Sequence, residues 1–99
     1  MMKLIMTWDI RPGREAAYFD WSMKTFVPGL MELGLQPVEA WYTVHGDAPQ
    51  ILAGVLAEDR DALGHALRST EWQELYDELM SYVTNYSQKV VKATNSFQF

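Results

Sequence analysis

Residues 3–10 alternate: Leu4, Met6, Trp8 and Ile10 fall on one side, and Lys3, Ile5, Thr7 and Asp9 on the other. A period of two commits this stretch to a strand with one buried face. The segments C-terminal to it decide which kind of sheet it joins. Arg11-Pro12-Gly13 ends the run, Pro12 removing a ladder donor. Over residues 14–33 the period lengthens, with Ala16, Phe19, Met23, Phe26, Val27, Leu30 and Leu33 in one helical arc. Pro28 predicts a kink, because the bond to the Lys24 carbonyl is lost. Gly34 fits the position just past a helix C-terminus.

Alternation returns twice. Residues 38–45 set Val38, Ala40, Tyr42 and Val44 against Glu39, Trp41, Thr43 and His45. Residues 51–57 set Ile51, Ala53, Val55 and Ala57 against Leu52, Gly54 and Leu56. Gly46-Asp47-Ala48-Pro49 between them is a turn signal, so the pair reads as a hairpin. Asp59 is placed to cap a helix at 60–68, where Leu63, Ala66 and Leu67 share a face. Leu75, Leu79 and Tyr82 share another face, rotated by more than about 100°, so one straight helix cannot bury both sets. A second helix is therefore expected at 71–84, opened by a capping box from Thr70 to Gln73. A fourth strand, at 87–94, centres on Val90 and Val91, and the tail Asn95–Phe99 offers two phenylalanines to a neighbour.

The order is β-α-β-β-α-β across 1–99, one domain without linker or low-complexity stretch. It predicts an α+β, ferredoxin-like split βαβ plait: a four-stranded antiparallel sheet with its helices on one face. Thirteen acids against eight scattered bases leave a net charge of -5, so nucleic acid is not an expected partner, nor is an anionic membrane surface. No apolar run reaches the ~20 residues that span a bilayer, and Asp9 and Arg11 interrupt the apolar start too early for a signal segment. With no cysteine there is no disulfide, thiolate nucleophile or thiolate metal site, and a reducing, cytoplasmic setting is expected. Two histidines without carboxylates at ligand spacing give no metal signature.

The second sheet face mixes Ile5, Thr7, Trp41, Thr43, Leu52 and Leu56 with Lys3, Asp9, Glu39, His45 and Glu58. An exposed patch of that kind marks an interaction site. A second copy, sheet against sheet about a two-fold axis, is the simplest cover. Ile5, Thr7, Trp41, Thr43, Leu52 and Leu56 are the expected dimer interface.

The strand ending in Arg11-Pro12-Gly13, the helix broken at Pro28, Gly34, the strand with Trp41, Gly46 in the hairpin and the opening Ser69-Thr70-Glu71-Trp72 together resemble the dimeric α/β-barrel superfamily. Within it the chain looks most like NIPSNAP-like domains. The resemblance implies a homodimeric α/β barrel with a pocket in each subunit between sheet and helices. Related families include antibiotic-biosynthesis monooxygenases, haem-degrading enzymes, muconolactone-type isomerases, polyketide cyclases and haem-binding peroxidases, so fold alone does not set the reaction. The monooxygenase pattern carries an Asn and a Trp on the third strand; Ile51–Ala57 has neither.

Three functional classes stay open. The first is a small-ligand protein or cofactor-independent oxygenase- or isomerase-type enzyme. Trp8 and Tyr42 would line a site for an apolar or aromatic ligand, and His65 would move protons. It needs no cofactor and no metal. The second is a haem-binding member with His65 or His45 as axial ligand, as the resemblance implies. The third is a non-catalytic dimer that binds a protein through Tyr18, Trp21 and the tail. Against these stand plainer roles: His65 and His45 as surface residues, Trp8 and Tyr42 as core, and Asp9 as a rim charge rather than a perturbed carboxylate inside a barrel. The acids Glu71, Glu74, Asp77 and Glu78 complement a helix dipole. Small Ala40, Ala53 and Ala57 decide whether space remains beneath the helices.

Overall fold

A computed structural model describes residues 1–43 and 49–93. His45, the Gly46–Ala48 part of the turn and the tail Asn95–Phe99 lie outside the described residues. Four strands, β1 (Met2–Ile10), β2 (Gln36–Tyr42), β3 (Ile51–Ala57) and β4 (Val83–Lys92), form one sheet in the order β2-β3-β1-β4. All three pairings are antiparallel. Helices α1 (Glu15–Trp21), α2 (Val27–Glu32), α3 (Arg60–Leu67) and α4 (Thr70–Leu79) complete the ferredoxin-like plait expected from the alternation. Among the described residues no helix is long and apolar enough to cross a membrane.

The first helical region departs from a single arc. A π-helical turn, Ser22–Phe26, joins α1 to α2, and Pro28 sits in the first turn of α2, where its missing N–H costs least. The turn inserts one extra residue, so the inward face changes phase. Tyr18 and Trp21 point into the core before it, and Phe26 and Leu30 after it. Phe19 and Met23, expected inside, are exposed, as is Ala16. Tyr18 and Trp21 are therefore core residues, and they offer no surface to a partner. Beyond α2 the Leu35 N–H reaches the Leu30 carbonyl and the Gly34 N–H the Met31 carbonyl, each at 3.0 Å. This crossed pair needs a left-handed residue, which Gly34 supplies at φ 81°.

Two further boundaries shift. The helix expected at 71–84 ends at Leu79, and β4 begins at Val83 instead of residue 87. The cap of α4 is Ser69, not Thr70: its Oγ accepts from the Trp72 N–H at 3.1 Å and donates to the Ala66 carbonyl at 2.6 Å. Ser69→Ala is expected to lower the unfolding free energy by about 1 kcal/mol, and Thr70→Ala by clearly less. Urea denaturation of both variants checks this; equal losses would put the cap back at Thr70. Asp59 caps α3 as anticipated, accepting from the Ala62 N–H at 2.7 Å.

The core lies between the helices and the two central strands. Leu4, Met6 and Trp8 of β1, Val55 of β3, Leu35, Leu79 and Val83 are fully buried. Trp8 is its centre. Its ring meets Tyr18 and Phe26 edge-on and stacks on Tyr86 at 5.9 Å and 10°. Trp21 stacks between Phe26 and Tyr82, and the Arg14 guanidinium lies 4.5 Å over Tyr82.

Candidate functional site

Strand register sorts the side chains into rows. Across the helix-facing side, Trp8 pairs with Ile51 and Ile51 with Tyr42. In the next row Met6 pairs with Ala53 and Ala53 with Ala40. Directly paired antiparallel residues point to the same face, so Trp8 and Tyr42 share that side, as their alternation implied. The helices cover its middle and stop short of its edges. Trp8 is sealed, 1% exposed, while Tyr42 is 52% exposed and Phe19, on α1 above it, 43%. Ala40 is exposed and Ala53 half-buried, whereas Ala57 is closed over. The result is an exposed strip along β2, in which the Phe19 and Tyr42 rings touch beside Ala40 and the half-buried Ala53.

A chain of rings connects this strip to the core. Phe19 meets Tyr42 edge-on at 5.9 Å, Tyr18 meets Phe19 at 5.1 Å, and the Trp8 indole N–H donates to the Tyr18 hydroxyl at 3.2 Å. Burial pushes the Tyr18 phenol above its ordinary range, opposed by the hydrogen bond from Trp8. Tyr18 therefore stays neutral near pH 7 and fixes Trp8 rather than titrating. Trp8 lies beneath this strip and is not part of its surface. Sequence reasoning misses Phe19 as a surface residue because a single helical period places it in the core.

His65 is elsewhere. It is exposed, in a cleft of about 670 Å³ between helices, and no strand residue lines that cleft. Its neighbours there include Lys24, Glu32, Glu71, Glu74 and Glu78. The structure thus brings Trp8 and Tyr42 to one row but leaves His65 apart from both. Among the described residues no three of His, Cys, Asp or Glu are grouped to hold a metal ion.

Asp9 is a joint. It accepts from the Asn85 side-chain amide at 2.9 Å and the Gln50 backbone N–H at 3.0 Å, and the Gln50 side-chain carbonyl accepts from the Ile10 N–H at 2.6 Å. The Asn85 bond, then the Gln50 bond, hold the carboxyl below its usual range. A depressed acid stabilises the fold above its unfolded value near pH 4, and that contribution disappears as pH falls through the lower folded value. Wild type is therefore expected to be more stable than Asp9→Asn at pH 7, with the gap closing below about pH 4. Urea midpoints at pH 7, 4 and 2.5 check this; a gap that does not narrow in acid would remove Asp9 from the joint.

The other sheet face is open. Register places Thr7, Leu52 and Trp41 in one row and Ile5, Gly54 and Glu39 in the next, with Leu56 beside Lys3. Trp41 is 63% exposed; Ile5, Thr7, Thr43, Leu52 and Leu56 are half-buried. At the centre Lys3 pairs with Glu39 across Gly54. A Cβ on residue 54 would lie within 2.9 Å of both side chains, so only glycine leaves room for the pair.

No protein-family model matches the chain, and no curated protein does. Solved structures do. HapK from Hahella chejuensis superposes with a TM-score of 0.80 at 11% identity, over 100% of this chain and 98% of that one. An uncharacterized NIPSNAP domain protein from Burkholderia xenovorans gives 0.72 at 10% identity, over 96% of each chain. A candidate antibiotic biosynthesis monooxygenase from Nitrosomonas europaea gives 0.68 at 9%, over 94% and 98%. The chain thus shares the ferredoxin-like fold of NIPSNAP domain proteins, as its sequence resembled.

Proposed function

We propose that this is a NIPSNAP-like protein of the dimeric α/β-barrel type that holds a small apolar or aromatic ligand in a groove along β2, against Ala40, Tyr42 and Phe19. The observation that carries the reading is a mismatch. Ala40 and Tyr42 face the helices, yet the helices leave them exposed beside Phe19. A sheet face that the fold normally buries is left open, lined by rings and small residues, with one hydroxyl as polar handle. Trp8 and Tyr18 hold the inner end rigid. Two copies meet through Ile5, Thr7, Trp41, Thr43, Leu52 and Leu56, which form one continuous face.

Ligand chemistry at this groove proceeds without His65, which lies in the cleft between the helices, and calls on no metal. Haem fits His65 poorly. Four glutamates line the same cleft and would repel its two carboxylates. The protein-binding reading loses Tyr18 and Trp21, which are buried, and its third element, the tail, lies outside the described residues.

The test combines native mass spectrometry with titration of N-phenyl-1-naphthylamine, an uncharged probe that brightens in apolar sites. The expected result is a two-chain mass and saturable brightening that Ala40→Phe, filling the groove, weakens about tenfold. Tyr42→Ala should weaken it several-fold. A lone chain would overturn the dimer, and brightening indifferent to Ala40→Phe would overturn the groove.

A further inference from the structure

The opposite edge of the sheet is also left open by the helices, and it is built differently. Between α4 and β4 lies a cleft of about 430 Å³ lined by Trp72, Gln73, Tyr76, Tyr86, Ser87 and Gln88. Its volume lies within the range of small-molecule sites. Three of the six are aromatic and none is charged. The cleft thus holds neither an acid nor a base to pair with an ionic group on a ligand. Its rings are fixed: Tyr86 stacks on the buried Trp8 at 5.9 Å, Tyr76 stands edge-on to Tyr86 at 5.2 Å, and Trp72 lies 6.1 Å from Tyr76.

The polar groups are arranged with a direction. Gln73 donates from its amide nitrogen to Asp77 at 2.9 Å, which leaves its carbonyl oxygen as an acceptor. Gln88 uses its carbonyl oxygen to accept from the Tyr86 hydroxyl at 2.7 Å, which leaves its amide nitrogen as a donor. The two glutamines stand on different elements, one on α4 and one on β4. The two glutamines therefore set one acceptor and one donor on different walls of an aromatic cleft. Burial, and then the neighbouring Tyr76, push the Tyr86 phenol above its ordinary range, so its proton stays on the bond to Gln88.

We infer that this cleft is a second binding site, for an uncharged planar ring of about bicyclic size that carries an N–H donor beside a carbonyl acceptor, as a cyclic amide does. The N–H bonds the Gln73 carbonyl, the carbonyl accepts from the Gln88 amide, and the ring lies against Tyr76 and Tyr86. It is independent of the β2 groove.

The experiment titrates the full chain with 2-quinolone and follows side-chain amide signals in proton–nitrogen correlation spectra. The Gln73 and Gln88 amides are expected to shift saturably. N-Methyl-2-quinolone, which lacks the donor, should bind about tenfold more weakly, because the Gln73 acceptor is left unpaired. Gln73→Leu and Gln88→Leu, both at exposed positions, should each weaken binding about fivefold or more, while Ala40→Phe should leave it unchanged. No saturable shift up to the solubility limit would overturn the proposal. So would equal binding of the N-methyl compound, indifference to both glutamine variants, or sensitivity to Ala40→Phe.

Discussion

Trp8→Ala is expected to lower the unfolding free energy by about 4 kcal/mol. The residue is 1% exposed and touches Tyr18, Phe26 and Tyr86. Truncation removes the largest fully buried side chain and leaves a void that three rings cannot all close. It also leaves the buried Tyr18 hydroxyl without its indole donor. Against a stability of about 5–15 kcal/mol for a natural domain, this takes the variant to the edge of folding. Trp8→Phe keeps most of the apolar volume and loses the indole N–H, so about 2 kcal/mol is expected. Urea denaturation followed by far-ultraviolet circular dichroism, at fixed protein concentration, gives both numbers. A Trp8→Ala loss below about 1.5 kcal/mol would mean that Trp8 is not the centre of packing.

Lys3→Met is expected to cost about 2–3 kcal/mol, and most of that loss should be recovered by adding Glu39→Leu. Lys3 is nearly buried, and the Glu39 side chain keeps 19% exposure. Breaking a fully buried pair by removing one partner costs about 3–5 kcal/mol, because the other charge stays desolvated. The exposure of Glu39 places this pair at or below the lower end. The double variant removes both charges, and replacing such a pair by apolar groups is often neutral. The double-mutant cycle should therefore give a coupling of at least about 1.5 kcal/mol. Additive losses would show that Lys3 stabilises the sheet by packing alone.

Most of the fold is legible because a period of two survives uninterrupted along β1 and β3. It fails along β4 for a local reason. The pairing of β1 with β4 slips between Thr7 and Asp9, and Asn85 there takes φ 58°, so β4 carries an extra residue and its alternation breaks. The π turn does the same to the first helix. Trp21 and Phe26, five apart, both face inward, a spacing no regular α-helix gives. The outward position of His65 is readable from its helix, since Leu63 and Ala66 are the buried pair there. The proposed groove is half legible. Alternation puts Tyr42 on the helix-facing side, but its exposure depends on how far the helices overhang the edge of the sheet. That distance is set by tertiary packing and leaves no mark in a periodic pattern. Tyr76 and Tyr86 are hidden for a related reason, lying on elements whose boundaries the pattern misplaces.

The two register shifts share a location. One falls between Pro37 and Glu39 on β2, the other at Asn85 on β4, and β2 and β4 are the two outer strands of the sheet. An outer strand presents a row of unpaired backbone groups on which another chain can build. A kinked strand is a poor template for that growth, and Pro37, which has no N–H, and the charged Lys89 and Lys92 make it poorer. Lateral polymerisation into extended β-ribbons is thus discouraged at both borders. In the proposed dimer, self-association uses the flat of the sheet instead, where a two-fold contact closes after two copies and does not run on into fibres.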